Sequence, residues 1–160
     1  MENVTGAATA IKSVEDVAAE IMASEEWARF DRGIEENKEY ARRFGRIEHI
    51  SGRITVGKND YKLNAWARGD MLRIYITTHR GEEKWGWFDV IKDELVYNPQ
   101  YAHFAETKPK TTAALTAVVR EKIKEATDPA LIEQIIADLD KRRDLAKKKI
   151  AEGGGFLCFR

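Results

Sequence analysis

The sequence is poor in the residues that build covalent and metal-bound sites. Among its 160 residues are one cysteine, Cys158, and three histidines. A single cysteine excludes an internal disulfide framework and a multi-cysteine zinc site, and it favours a reducing cytoplasm. The histidines, His49, His79 and His103, lie far apart and show no metal-ligand spacing. We therefore expect no bound metal ion and no cofactor.

Long apolar runs and net charge are also missing. The longest apolar run, Phe156 to Phe159, has four residues, whereas a transmembrane helix needs about 20 and a signal-peptide core about 7 to 15. The 27 basic side chains balance the 27 acidic ones, and a neutral total argues against strong non-specific binding to polyanions. These absences predict a cytoplasmic protein that does not associate with membranes, and they confine any nucleic-acid site to a local patch.

What is present is typical of one ordinary folded domain. Hydrophobic residues make up 43% of the chain and charged residues 34%, which is too apolar for a disordered chain and too charged for a membrane span. A chain of this length buries roughly 70% of its unfolded surface, so a sizeable core can form. We expect residues 1–160 to form a single α+β domain.

Apolar residues at helical spacing predict helices at both ends of the chain. The N-terminal part, 14–44, predicts one helix over about 14–22 after Ser13 and another over about 25–44. The C-terminal part, 111–152, predicts an antiparallel helical hairpin. Thr111 or Thr112 would cap its first helix, and Asp128 followed by Pro129 would start its second. The triple glycine that opens 153–160 would end it.

Between these helices, residues 49–98 alternate with a period of two and predict a five-stranded antiparallel meander. A Gly69-Asp70 turn fixes the central hairpin, and turns at Lys58-Asn59 and Lys92-Asp93 are expected at the outer hairpins. The resulting pairs are Ile74 with Ala65 and with Phe88, Ile54 with Leu63, Val56 with Tyr61, Val90 with Leu95 and Phe88 with Tyr97. One face of this sheet is apolar throughout.

The opposite face of the predicted sheet combines basic and aromatic side chains, with Asp89 as the only acid at the paired positions. Such a surface suits single-stranded nucleic acid, because phosphates attract cations and unstacked bases stack on aromatic rings. It equally suits a second core, with a helix layer covering the tryptophans. The candidate residues are Arg53, Lys62, Trp66, Arg68, Arg73, Tyr75, Trp85 and Trp87.

Two further segments are candidate binding elements. The last helix carries a basic cluster, which either contacts phosphate or forms a solvated face with local ion pairs. The apolar tail after the triple glycine either folds back on its own core or inserts into another subunit or a host protein. The residues concerned are Lys141, Arg142, Arg143, Lys147, Lys148 and Lys149 on the helix, and Phe156, Leu157 and Phe159 in the tail.

Catalytic motifs are weak. Asp70 followed by Glu82, Glu83 and Lys84 faintly matches the acids and lysine of metal-dependent nucleases, but the register places Asp70 and Glu82 about 20 Å apart. No phosphate-binding loop, nucleophile elbow or dinucleotide motif is present. The sequence therefore names no catalytic residue.

Three functional hypotheses follow from these patterns. The first is a non-enzymatic protein-binding adaptor or inhibitor of a larger assembly, which would use the aromatic and basic face, the apolar tail, or both. Its partner would be another protein or a second copy of the chain. The second hypothesis is a nucleic-acid-binding accessory protein that uses the same face. A metal-dependent nuclease is a remote third.

Overall fold

A computed structural model of the protein describes residues 11–78, 84–101 and 109–154. Within these ranges the chain has N-terminal helices, a five-stranded antiparallel sheet and C-terminal helices, which confirms the predicted α+β class and element order. None of the helices described combines the length and apolar content that a bilayer-spanning segment requires. The elements are α1 (Val14–Met22), α2 (Glu25–Phe44), β1 (Ser51–Val56), β2 (Asn59–Arg68), β3 (Met71–Thr78), β4 (Lys84–Asp89), β5 (Glu94–Tyr97), α3 (Pro109–Ala126) and α4 (Pro129–Ala151).

Internal contacts divide the chain into two compact units. The helical unit comprises Met1–Arg42 and Ile132–Arg160, and the sheet unit comprises Arg43–Leu131. The single-domain interpretation stays a prediction.

In the helical unit, side-chain oxygens cap the first two helices, and the cap by Ser13 is the one that the sequence predicts. The Ser13 hydroxyl accepts a hydrogen bond from the backbone N–H of Asp16 at 3.1 Å, and the Ser24 hydroxyl accepts one from Trp27 at 3.2 Å. Trp27 then packs with Ala146 and Ile150 of α4 in a small buried cluster. The predicted bounds of α1 and α2 are confirmed.

In the sheet unit, the strands follow in the order β1-β2-β3-β4-β5. The apolar side, which we call the inner face, carries Leu63, Ile74 and Phe88, and α3 packs against it through Leu115 and Val119. We call the opposite side of the sheet the outer face. Helix α3 begins at Pro109, so the prediction that Thr111 or Thr112 caps it is wrong. The Asp128 cap of α4 is confirmed by a 3.3 Å hydrogen bond from Leu131.

The two inner hairpins have the predicted registers, and the two outer hairpins do not. Ile74 lies opposite Ala65 and Phe88, as predicted. Each outer hairpin is shifted by two residues: Ile54 pairs with Tyr61, Val56 with Asn59, Phe88 with Leu95, and Gly86 with Tyr97.

The positions of the turns explain why the registers of the two outer hairpins differ from the predicted ones. The first hairpin turns at Gly57-Lys58, where Gly57 has a φ of 64°, one residue earlier than predicted. The last hairpin closes at Asp89 and Glu94 around the connection 90–93, in which Asp93 has a φ of 54°. The Asp89 carboxylate accepts a hydrogen bond from Lys92 N–H at 3.1 Å and stabilises the longer connection. A shift of two residues keeps every side chain on its predicted face.

Candidate functional site

The outer face holds most of the side chains that the sequence singles out. Arg53, Lys62, Trp66, Arg68, Arg73, Tyr75 and Trp87 all lie at outer positions of their strands. Arg53, Trp66 and Arg68 are exposed. The other four are half-buried. The structure therefore brings seven of the eight predicted residues to one surface.

Trp85 is the exception, and its predicted place on the outer face is wrong. The β3–β4 register shifts between Ile76 and Thr77, and this irregularity breaks the alternation of β4. Trp85 is 4% exposed and belongs to the inner core. Its ring centroid lies 5.7 Å from that of Tyr61 and 4.5 Å from that of Tyr97. Burial raises the pKa of both tyrosines above the ordinary value.

Three aromatic side chains on neighbouring strands of the outer face, Trp66, Tyr75 and Trp87, form what we call the aromatic row. The centroid of Tyr75 lies 6.3 Å from that of Trp66 and 6.2 Å from that of Trp87. The Arg73 guanidinium carbon lies 4.8 Å above the Trp87 ring, and its Nη1 donates to the Tyr75 hydroxyl at 3.5 Å. These contacts fix the rings in place, so little side-chain entropy remains to be lost on binding.

One end of the outer face exposes large apolar side chains. Trp66 is 36% exposed and Met71, at the β2–β3 turn, is 38% exposed. The Val90 N–H donates to the Leu72 carbonyl at 3.0 Å, so the β3–β4 register brings the backbone of Ile91, in the turn that follows, level with Met71. Ile91 is 51% exposed. We call Trp66, Met71 and Ile91 the apolar end.

Sequence reasoning did not select Met71 and Ile91 as site residues. Met71 follows the outer alternation of β3 and could have been chosen on that signal. Ile91 follows the inner residue Val90 in the predicted alternation, so the same signal could have selected it.

The charge on the outer face is more mixed than predicted. The observed registers place Asp60 and Glu94 at outer positions in addition to Asp89, so the prediction of a single acid is wrong. Asp60 accepts a hydrogen bond from the Thr55 hydroxyl at 2.6 Å. Among the described residues, no ion pair involves the basic side chains Arg53, Lys62 and Arg68. These three cations are available to a binding partner.

The basic cluster of α4 belongs to the helical unit. Arg143 faces α2, where its guanidinium lies 2.7 Å from Asp31 and 2.6 Å from Glu35. The Arg142 guanidinium carbon lies 5.9 Å from the Phe30 ring centre. The lysines of the cluster, Lys141, Lys147, Lys148 and Lys149, are exposed. Arg143 therefore links two helices and is not available to bind phosphate.

The ion pairs of Arg143 predict an acid-sensitive helix contact. The hydrogen bond from Arg143 holds the pKa of Glu35 below its ordinary value, and the hydrogen bond from Lys38 does the same for Asp140. Because these folded-state pKa values are lowered, their contribution to stability is complete above the unfolded-state pKa of about 4. This contribution to stability is lost as the pH falls through the lowered pKa values of Glu35 and Asp140.

We therefore expect Arg143→Met to reduce the free energy of unfolding at pH 7 and to make little difference at pH 2. Urea titrations followed by circular dichroism at both pH values measure this change. Lys147→Met, at an exposed position of the same helix, is the matched control and should have little effect at either pH. An Arg143→Met effect of equal size at both pH values would contradict the assignment to ion pairs.

The remaining predicted groups form no site among the residues that the structure describes. Within the described ranges, no three His, Cys, Asp or Glu side chains are arranged to hold a metal ion. Asp70 lies in the β2–β3 turn. Glu82 and Glu83 of the nuclease hypothesis, and the tail residues Phe156, Leu157 and Phe159, lie outside the described residues. The nuclease hypothesis and the hypothesis that the apolar tail is a binding element stay predictions.

The fold and the outer face place this chain among α+β proteins with an aromatic sheet surface. Comparisons with protein-family models, with curated proteins and with solved structures give no match. Function must therefore be argued from the site itself.

Proposed function

We propose that this protein is a non-enzymatic protein-binding module, acting as an adaptor or an inhibitor of a larger assembly, and that it binds its partner with the outer face. The observation that carries the proposal is the apolar end, where the outer residues Trp66 and Met71 and the turn residue Ile91 are each at least 36% exposed. Exposed apolar side chains clustered at one place are typical of interaction sites. The Trp, Tyr, Met and Arg content of the outer face is the composition enriched at protein interfaces.

The aromatic row favours a protein over a single-stranded nucleic acid. A base needs an open ring face on which to stack, but the guanidinium of Arg73 lies over the Trp87 ring at 4.8 Å. For a protein partner, a fixed aromatic row with a polar border is a suitable centre of binding energy.

Nucleic acid stays the second candidate because Arg53, Lys62 and Arg68 have no ion pair among the described residues and Trp66 is exposed. Titration of tryptophan fluorescence with single-stranded DNA and RNA at two salt concentrations tests it. Quenching that weakens steeply with salt would favour this candidate. Our proposal predicts no such quenching.

Comparative affinity capture tests the proposed function. We expect the wild-type protein to retain at least one protein from extracts of the cells that express it, and Trp66→Ala to lose that protein. Truncating a central tryptophan of an interface costs about 2 kcal/mol or more of binding free energy, which weakens affinity by roughly thirtyfold.

Leu145→Ala is the matched control for Trp66→Ala. Leu145 is a large apolar residue of α4 that is 46% exposed, and the proposal gives it no role in binding. The control should retain the same protein as wild type. Equal capture by wild type and Trp66→Ala would contradict the proposal.

A further inference from the structure

The outer face also indicates the chemistry of its partner. Resting on the proposed function, we infer that the partner presents an acidic segment that carries an apolar anchor. The anchor contacts the apolar end, and carboxylates of the same segment contact Arg53 and Lys62. The inference depends on where the charges and the apolar side chains lie along the strands.

Apolar and basic positions are separated along the outer face. Met71 and Thr77 both lie at outer positions of β3, six residues apart, which corresponds to about 20 Å of strand. At the Thr77 end, Lys62 lies opposite Thr77, and Arg53 lies opposite Lys62. Tyr75 and Trp87 of the aromatic row lie between the two ends. A partner segment that covers both ends therefore spans about six residues if extended or about 13 residues if helical.

We call the Thr77 end of the outer face, with Arg53 and Lys62, the basic end. Neither side chain has an ion pair within the described parts of the chain. Asp60, the outer acid two residues before Lys62 on β2, accepts a hydrogen bond from the Thr55 hydroxyl and has no ion pair within the described residues. Arg120 and Arg143, by contrast, are paired with acids of this chain. Carboxylates on a partner would neutralise Arg53 and Lys62, and such complementarity sets partner choice and association rate.

The apolar end supplies the anchoring contact. Its three side chains are exposed by a third or more, and Trp66 also contacts Tyr75 in the aromatic row. An apolar side chain inserted there would remove Trp66, Met71 and Ile91 from water together. Arg68 borders this end from the outer position opposite Met71. A carboxylate on the Arg68 side of the anchor would therefore meet a cation.

Selection from a displayed library of random peptides of about 16 residues, long enough for either conformation, tests the inference. The full-length protein is the target, and peptides that also bind Trp66→Ala are removed. We expect the enriched peptides to combine a large apolar residue with several acids. Their affinity should fall roughly tenfold in the double variant Arg53→Glu/Lys62→Glu, where repulsion replaces attraction.

The control variant is Lys147→Glu/Lys148→Glu, which makes the same charge change on α4 and should bind the peptides as wild type does. Ile91→Ser, at a position that is 51% exposed, tests the apolar end without removing Trp66 and should weaken binding.

The outcomes separate the inference from the proposed function. Peptides that depend on Trp66 but lack acids and bind the Glu double variant normally would overturn the inference and leave the proposed function standing. A selection that yields no Trp66-dependent peptide would overturn both. A single-stranded oligonucleotide that binds with the same dependence on Trp66 and Arg53 would also overturn both and favour nucleic acid.

Discussion

Trp85→Ala is expected to destabilise the protein by about 3 to 5 kcal/mol, the cost of removing a large aromatic side chain from a packed core. Trp85 is 4% exposed and packs between the rings of Tyr61 and Tyr97. The surrounding strands are held by backbone hydrogen bonds, so they can close the cavity only in part. Urea unfolding followed by circular dichroism measures the loss.

Trp66→Ala is the comparison variant for Trp85→Ala. Trp66 lies on the outer face and is 36% exposed, so its replacement should change the free energy of unfolding by about 1 kcal/mol or less. The same variant is expected to lose partner binding. Similar unfolding curves for the two tryptophan variants would contradict the assignment of Trp85 to the core and of Trp66 to the surface.

Gly45→Ala is expected to cost about 3 kcal/mol or more, because two independent effects add. Gly45 has a φ of 51°, in the left-handed region that residues other than glycine rarely adopt. A Cβ atom built there would lie 2.1 Å from the backbone oxygen of Ala126. That oxygen accepts a hydrogen bond from Arg46 N–H at 2.8 Å, so moving it away would break the link between the end of α2 and the end of α3.

Gly33→Ala is the matched control for Gly45→Ala. Gly33 lies inside α2, and a Cβ atom there would meet nothing within 4 Å. Alanine should therefore stabilise the protein by about 0.5 to 1 kcal/mol, because glycine is a poor helix former. Thermal unfolding should show a lower Tm for Gly45→Ala and a higher Tm for Gly33→Ala. A Gly45→Ala Tm equal to that of wild type would contradict the steric argument.

Alternation in the sequence determined the inner and outer faces of the sheet, since side chains point to opposite sides with a period of two. Serine and aspartate caps determined where α1, α2 and α4 begin. For the candidate site, the same reasoning placed the aromatic row and the basic side chains on one surface. These features depend on local backbone geometry, which each short segment specifies for itself.

Only the tertiary structure decided the registers of the outer hairpins, because a shift of two residues leaves the apolar pattern unchanged. It also placed Trp85 in the core, since the irregularity between Ile76 and Thr77 reverses the alternation of β4. The pairing of Arg143 with Asp31 and Glu35 joins residues that are more than 100 positions apart. Exposure and charge pairing are set by contacts between distant segments, which a sequence pattern does not encode.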